Sequence, residues 1–365
     1  MVEGAGKERW LKMKEMTPLE RVVATIKRET PDRVPVILYF QSAAQFAAVR
    51  DDYTWQELLS NPTKLYKNVL QQHEVYGADN FFLPLDFRVD GEAFGSKCEY
   101  LLKCGGGARM PVVTQFAIQS KDEIDDLEVP DPKKAGRCPV ILETIGKLSK
   151  KYGNKVPIVG FVNSPPDVAT DVIKGHYSTV LPMMATDKPA MHKLLGKIAQ
   201  FEIEFGKAML AAGAHALATV GGGFNNLTIG PDQFREFVAK YQAQIVKGVA
   251  APYCFHQCQN ATPFMEDMVA TGAGAIAFHE LVDLKWAKEK FGNKVILAGN
   301  VGVSESNSVM YGGTPADVEA ATKKAIEIGK PGGMFWLSAG CEVHHALPEQ
   351  NIYALIKSAK KYGAY

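Results

Sequence analysis

What this chain lacks narrows its class before any motif is read. No run of about 18 apolar residues occurs, the length a helix needs to cross a bilayer. The first ten residues, M-V-E-G-A-G-K-E-R-W, contain no apolar signal core, so a cytoplasmic protein is expected. There is no block of five basic residues, and 41 basic side chains almost balance 40 acidic ones. Nucleic acid and anionic membrane surfaces are therefore not expected as partners. Cysteine is sparse: six, at positions 98, 104, 138, 254, 258 and 341 of 365, too scattered for a disulfide scaffold. In a reducing compartment such cysteines are core thiols or ligands. Internal repeats, low-complexity segments and a convincing linker are also missing, so one domain over 1–365 is expected, with 1–33 as an N-terminal helical extension.

What is present is ordinary globular composition, 46% hydrophobic and 22% charged, arranged in alternation. Residues 17–29 read as a helix in which Thr17 is the N-cap, Pro18 suits the first turn and Glu20 completes a capping box. The run V-P-V-I-L-Y-F at 34–40 is continuously apolar, as buried parallel strands are. Similar runs follow at 80–86, 156–162, 216–220, 253–258, 275–278, 295–301 and 334–340, which makes eight. Helix-like segments separate them at 55–77, 139–153, 188–213, 231–250, 261–272, 284–292, 314–329 and 348–362. Eight strands alternating with helices predict a closed (β/α)8 TIM barrel, with a doubly wound sheet as the competing arrangement. Between the second and third strands, K-C-E-Y-L-L-K and M-P-V-V-T-Q-F-A-I flank C-G-G-G-A-R, which reads as an inserted β-hairpin.

In parallel barrels the reacting groups lie at the C-terminal ends of the strands. The stretch F-H-Q-C-Q at 255–259 closes the fifth strand. Residues two apart on a strand share a face, so His256 and Cys258 point into the same mouth. Cys341 ends the eighth strand in S-A-G-C-E and can reach the same mouth as a third ligand. His, Cys and Cys suit zinc, and three protein ligands with an open fourth position describe a catalytic site. The competing reading is a buried strand carrying a core thiol and a hydrogen-bonded histidine. Cys254 shares their parity but lies one layer deeper and reads as core, with substitution as a ligand the alternative. Cys98, Cys104 and Cys138 sit on the hairpin and the loop after it and read as structural.

Several stretches together carry a resemblance. T-P-L-E-R-V-V-A-T-I-K-R-E-T-P-D-R-V-P-V near the start, D-G-E-A-F-G at 90–95, F-H-Q-C followed by T-P-F-M-E-D-M-V-A-T-G-A-G-A-I-A-F, then L-A-G-N-V, and A-G-C-E with L-P-E-Q-N-I-Y-A-L resemble the uroporphyrinogen decarboxylase superfamily. Within it, His-x-Cys late in the barrel plus a Cys after the last strand resembles the branch of zinc-dependent corrinoid methyltransferases. Methylcobamide:coenzyme M methyltransferases are the best-known members of that branch. The resemblance implies a (β/α)8 barrel, zinc held by His256, Cys258 and Cys341, and an enzyme of anaerobic one-carbon metabolism. It implies methyl transfer between a corrinoid (cobalamin) protein and a small substrate, first of all a zinc-bound thiol such as coenzyme M. A methoxylated aromatic or methylated thiol giving its methyl to a cob(I) protein is the alternative, and a decarboxylase-type lyase a further one. No D-x-H-x-x-G motif is present, so the corrinoid should arrive on a separate protein; the resemblance also leaves room for a homodimer.

The decarboxylase reading fits less well, because the segment Y-F-Q-S-A-A-Q-F-A-A-V after the first strand offers no cation before Arg50. A polycarboxylate tetrapyrrole would lack counter-charges there. Asp86 matches that enzyme's central aspartate, yet Arg88 close by can equally satisfy it. The remaining candidate substrate contacts are Tyr39, Asn163, Asn225 and His344. Asn226 and His345 stand beside two of these, and Phe40, Phe46, Phe224 and Trp336 offer aromatic lining. Glu342 and the pair His279-Glu280 are candidate supports for the ligands. Strand-end cations are few, which is unlike a site for an anionic thiol.

Overall fold

The computed structural model describes residues 15–40, 53–100, 111–304, 306–344 and 347–365. Among the described residues there are nine strands: β1 (Phe81–Leu83), β2 (Lys97–Glu99), β3 (Val112–Gln115), β4 (Ile158–Asn163), β5 (Ala216–Gly221), β6 (Tyr253–Gln257), β7 (Ala275–Phe278), β8 (Ile296–Val301) and β9 (Phe335–Ala339). Seven of them form one sheet in the order β1-β4-β5-β6-β7-β8-β9, every pair parallel. The segment 34–40 closes that sheet into the (β/α)8 barrel.

The closure differs from an ordinary strand. Ile37 N–H donates to the Leu337 carbonyl at 3.0 Å, Leu337 N–H to the Pro35 carbonyl at 2.9 Å, and Asp79 N–H to the Val36 carbonyl at 2.9 Å. Pro35 has no N–H to give, and side chains replace part of the ladder toward β1. Val36 N–H donates to Asp79 Oδ2 (2.8 Å) and Leu38 N–H to Asn80 Oδ1 (2.9 Å), while Asn80 Nδ2 donates to the Leu38 carbonyl (3.0 Å). The expected first strand thus does a strand's work with only isolated bridges.

Alternation along the strands fills the barrel. One cluster of buried side chains contains Ile37, Tyr39, Phe82, Phe161, Ala218, Val220, Cys254, Ala275, Ala277, Ile296, Ala298 and Trp336. Their neighbours of opposite parity, such as Leu217, Phe255, Ile276 and Leu297, join the core between sheet and helices. Alanines on β7 and β8 leave the volume that Phe82, Phe161 and Trp336 occupy.

The helix Pro18–Ile26 begins with the expected capping box: Glu20 N–H donates to Thr17 Oγ1 (3.2 Å) and Thr17 N–H to Glu20 Oε2 (2.7 Å). Its Val22 joins the barrel-interior cluster, so this helix covers the N-terminal end. Buried Arg21 fastens it, with Nε on Asp32 at 2.6 Å and Nη1 on Asp79 at 2.8 Å. The inserted hairpin is β2 against β3, antiparallel; its C-G-G-G-A-R tip, with Cys104, lies outside the described residues.

Two helix readings change. The expected helix 55–77 is two, Trp55–Ser60 and Pro62–Glu74, because Pro62 cannot donate within a continuous turn. A helix not expected, Pro165–Val172, starts directly after β4, and Tyr177–Thr186 follows it. Among the described residues no helix is long and apolar enough to cross a membrane.

Candidate metal centre

β6 sets the first two ligands. His256 pairs in register with Val220 of β5 and Ala277 of β7, between two hydrogen-bonded neighbours. It is 2% exposed. Cys258 follows the strand's last residue but keeps the ladder, its N–H donating to the Gly221 carbonyl at 2.9 Å. Parity therefore aims both side chains into the C-terminal mouth. Cys341 comes two residues past β9. The turn is held by Gly340 N–H donating to the Val301 carbonyl at 2.8 Å. Any side chain at Gly340 would meet the Glu280 carboxylate, 2.2 Å from where its Cβ would stand.

The three donors converge. Cys258 Sγ lies 3.5 Å from His256 Nε2 and 3.6 Å from Cys341 Sγ, and all three atoms fall within 4.8 Å of one another. Metal–sulfur bonds of about 2.3 Å and metal–nitrogen bonds of about 2.05 Å at tetrahedral angles give S···N edges of about 3.6 Å and S···S edges of about 3.8 Å. The donor set fits a metal ion without rearrangement. No other group of three or more possible ligands comes so close among the described residues.

The electrostatics agree. The hydrogen bond from Cys258, and then His256, hold the Cys341 thiol well below its ordinary value despite burial. That hydrogen bond and burial push Cys258 well above its own, with the charges of Cys341, Asp167 and Glu342 adding to the rise. Two sulfurs this close share one proton, and a cation between them lets both ionise. Buried His256 Nδ1 has no hydrogen-bond partner among the described residues, while Nε2 is the ring atom turned toward the two sulfurs.

A cavity of about 180 Å³ opens at the same end of the barrel. Its wall includes Val220, the register partner of His256, together with Phe87, Arg88, Asn163, Asp167, Asp171 and Tyr177. All come from the C-terminal ends of β1, β4 and β5 or from the loops and helices after them.

The other sequence candidates fall differently. Asp86 is fully buried, and Arg137 donates to both its oxygens, Nη1 to Oδ2 at 2.8 Å and Nη2 to Oδ1 at 2.9 Å. The ion pair occupies the carboxylate in place of a substrate, and its arginine is Arg137, Arg88 giving it only a backbone N–H. Asn225 serves a turn instead: its Nδ2 donates to the Gly222 carbonyl (2.7 Å) and its Oδ1 accepts from Leu227 N–H (2.9 Å). Tyr39 lies inside the barrel, its hydroxyl 3.0 Å from Cys254 Sγ and its ring 5.7 Å from that of His256. Asn163 reaches the cavity wall and donates to the Phe87 carbonyl (3.1 Å) and to the Asp90 carboxylate.

His344 is half-buried, its ring tilted against that of Tyr311 at 5.7 Å; burial lowers its pKa, partly offset by a backbone hydrogen bond with Val303 and by the Cys341 charge. His345, Phe46 and most of the segment after the first strand lie outside the described residues. Glu280 accepts from Val303 N–H (2.9 Å) and Ser304 N–H (2.7 Å) and shapes the turn beside Cys341. The sequence reading missed Asp167, Asp171 and Tyr177. The signal for them was Pro165-Pro166 after a strand, a first-turn mark, followed by two acids four residues apart on one face.

The chain is 27% identical over 353 residues to a methylcobamide:CoM methyltransferase, MtbA, of Methanosarcina mazei, covering 96% of this chain and 99% of that protein. It is 27% identical over 354 residues to a methylcobamide:CoM methyltransferase, MtaA, of Methanosarcina barkeri, covering 96% and 100%. A solved structure of a methyltransferase from Methanosarcina mazei superposes with a TM-score of 0.84 at 27% identity, over 95% of this chain and 99% of that one. The profile of uroporphyrinogen decarboxylase (URO-D) matches residues 17–362; with that match spanning almost all of the barrel, the chain belongs to the uroporphyrinogen decarboxylase family.

Proposed function

We propose that this protein moves a methyl group between a corrinoid-carrying protein and a small thiol, at a zinc ion held by His256, Cys258 and Cys341. The observation that carries the reading is the convergence of those three donor atoms, at 3.5 Å and 3.6 Å, in the strand-end mouth of the barrel. It is supported by methylcobamide:CoM methyltransferases being relatives along nearly the full length. Bound there, zinc supplies a Lewis acid that keeps a substrate thiol ionised at neutral pH. Coenzyme M, which the relatives' names carry, is the first thiol to test.

The chain's own residues do the rest. His256 and the two cysteines leave a fourth direction toward the mouth. Phe87, Tyr177 and Val220 line the cavity at the same end of the barrel and exclude water from one side of the bound molecule. Leu227 and Leu281, 74% and 51% exposed, stand on the loops after β5 and β7. A corrinoid-carrying partner would dock at this strand-end face, as the relatives' names suggest. The free thiols of Cys98, Cys138 and Cys254 suit a reducing cytoplasm. The decarboxylase alternative is disfavoured because Arg137 holds both oxygens of Asp86. Transfer from a methylated thiol or a methoxylated aromatic onto a cob(I) protein is kept as a second reading, since two aromatic side chains line the cavity.

The test follows the visible spectrum of the corrinoid with the zinc-loaded protein. Thiols are offered against methylcobalamin, and methyl ethers against cob(I)alamin. Conversion with a thiol, lost in a Cys258→Ser/Cys341→Ser variant, supports the main reading. Conversion only with methyl ethers supports the second. No conversion in either arm, or conversion unchanged in the double variant, removes the proposal.

A further inference from the structure

The end of the barrel opposite the ligand triad holds a second space. The helix Pro18–Ile26 crosses that floor and is pinned along its length. Leu19 N–H donates to the Lys155 carbonyl ahead of β4 at 2.9 Å. Arg21 holds Asp32 and Asp79. Just past the helix, the Arg28 guanidinium donates to the Asn293 and Lys294 carbonyls ahead of β8, at 3.2 and 3.4 Å. Between the helix and the strand starts lies a cavity of about 160 Å³.

Its lining is mostly hydrocarbon. Leu19, Val22, Val23 and Ile26 form the helix side, with Phe82 and Trp336 on the strand side, and no Asp, Glu, Lys or Arg takes part. The polar side chains in the wall are engaged within the protein. His215 accepts from Ile158 N–H at Nδ1 (3.1 Å) and meets the Gly153 carbonyl at Nε2 (2.7 Å). The Tyr253 hydroxyl accepts from Gln242 Nε2 at 2.9 Å, and the Tyr39 hydroxyl lies 3.0 Å from Cys254 Sγ. The buried Trp336 indole N–H makes no hydrogen bond among the described residues, but a water molecule needs about two to four polar partners. The space suits an apolar occupant better than water.

The sequence keeps the space open. Ala216 and Ala218 on β5 and Cys254 on β6 put small side chains into the lining, where β1 and β9 bring Phe82 and Trp336. Protein interiors leave few voids larger than a water molecule. An apolar cavity of about 150 Å³ stays dry and takes up benzene. Leu19 and Val23 are half-buried and Ile26 is 39% exposed, so the helix side of the wall reaches solvent and gives a way in.

We infer that the barrel floor is a binding site for one uncharged apolar molecule, about the size of a single six-membered ring, held between the helix Pro18–Ile26 and the strand starts. An ion placed there would lose its water and find neither a counter-charge nor a free set of hydrogen-bonding groups. The site is separate from the ligand triad and does not depend on it, although Tyr39 lines it and has its ring 5.7 Å from that of His256.

Isothermal titration of the zinc-loaded protein with benzene and with benzoate tests this. Benzene is expected to bind with a dissociation constant of about 1 mM or below and to raise the thermal midpoint. Benzoate should bind at least about tenfold more weakly. Ala218→Leu, which fills the cavity, should weaken benzene binding at least about tenfold with zinc content unchanged. Ala216→Leu, at the half-buried start of the same strand, is the second filling variant should Ala218→Leu not fold. Tyr177→Ala, in the cavity at the other end of the barrel, should leave benzene binding as it is. Crystals under xenon pressure should show the gas between Val22 and Trp336. The inference is overturned if benzene does not bind, if benzoate binds as tightly, or if the folded filling variants bind benzene like the wild type. Loss of benzene binding in Tyr177→Ala alone would place the ligand at the other end and also overturn it.

Discussion

Replacing Arg137 by methionine should destabilise the protein by about 3–5 kcal/mol, the cost of breaking a buried pair from one side. Arg137 is 7% exposed and Asp86 is not exposed at all. The guanidinium makes two hydrogen bonds to Asp86, at 2.8 and 2.9 Å, and a third, at 2.5 Å, to Glu92. Burial alone would raise the Asp86 carboxyl; the charge and hydrogen bonds of Arg137 outweigh it and hold the group below its ordinary value. Without Arg137, two carboxyls face a low-dielectric interior and must either stay charged and unpaired or take up protons. Asp86→Asn should cost a comparable amount. The double variant Asp86→Leu/Arg137→Met should recover part of the loss, giving a coupling of about 2–3 kcal/mol. Urea unfolding at neutral pH, with zinc measured in each variant, reads the cycle. The reasoning is refuted if Asp86→Asn unfolds within about 0.5 kcal/mol of the wild type while substrate binding is abolished, for then Asp86 serves the substrate and not the fold.

Three further outcomes follow from the same geometry. Tyr39→Phe removes the 3.0 Å contact between the phenol and Cys254 Sγ; it should lower stability by about 1 kcal/mol in a thermal melt and leave the metal content unchanged. Burial pushes Asp90 from 3.8 to about 7, so the folded state binds its proton more tightly than the unfolded state does. Stability from this group is full below the unfolded value and is lost as pH rises toward the folded one, roughly 2–3 kcal/mol between about pH 5 and pH 8. Asp167 and Glu202, also raised by burial, act in the same direction, so Asp90→Asn should flatten the pH dependence of the urea midpoint only in part. An unchanged slope in that variant would contradict this assignment. Gly223→Ala forces the Tyr177 ring out of the cavity wall; thiol affinity should fall at least about fivefold by titration, with a stability loss of about 1–3 kcal/mol.

The barrel was legible because its two signals are periodic. Apolar runs of strand length recur between amphipathic helices, and each run names its own C-terminal end. That end is where parity carries His256 and Cys258 into one mouth and where Cys341 arrives from the last strand. What stayed hidden depends on distance in sequence. Arg137 lies 51 positions from Asp86, so the closer Arg88 looked like its partner, although Arg88 is spent on Asp171. Asn225 read as a substrate contact because a turn-closing asparagine and a binding asparagine have the same neighbours in sequence. Asp167 went unnoticed because its chemistry comes from burial and from the Gly223 N–H on another strand's loop, neither of which local spacing encodes. The segment 34–40 was read correctly as barrel wall, yet its pairing through the Asp79 and Asn80 side chains needed the folded neighbourhood.

The most direct test of the metal centre is the zinc content of protein purified without added metal, beside the His256→Ala, Cys258→Ser and Cys341→Ser variants. The account predicts about one zinc per chain in the wild type and its loss in each variant, with the fold retained by circular dichroism. A full zinc complement that survives all three substitutions, or a wild type that takes up no zinc at all, would contradict it.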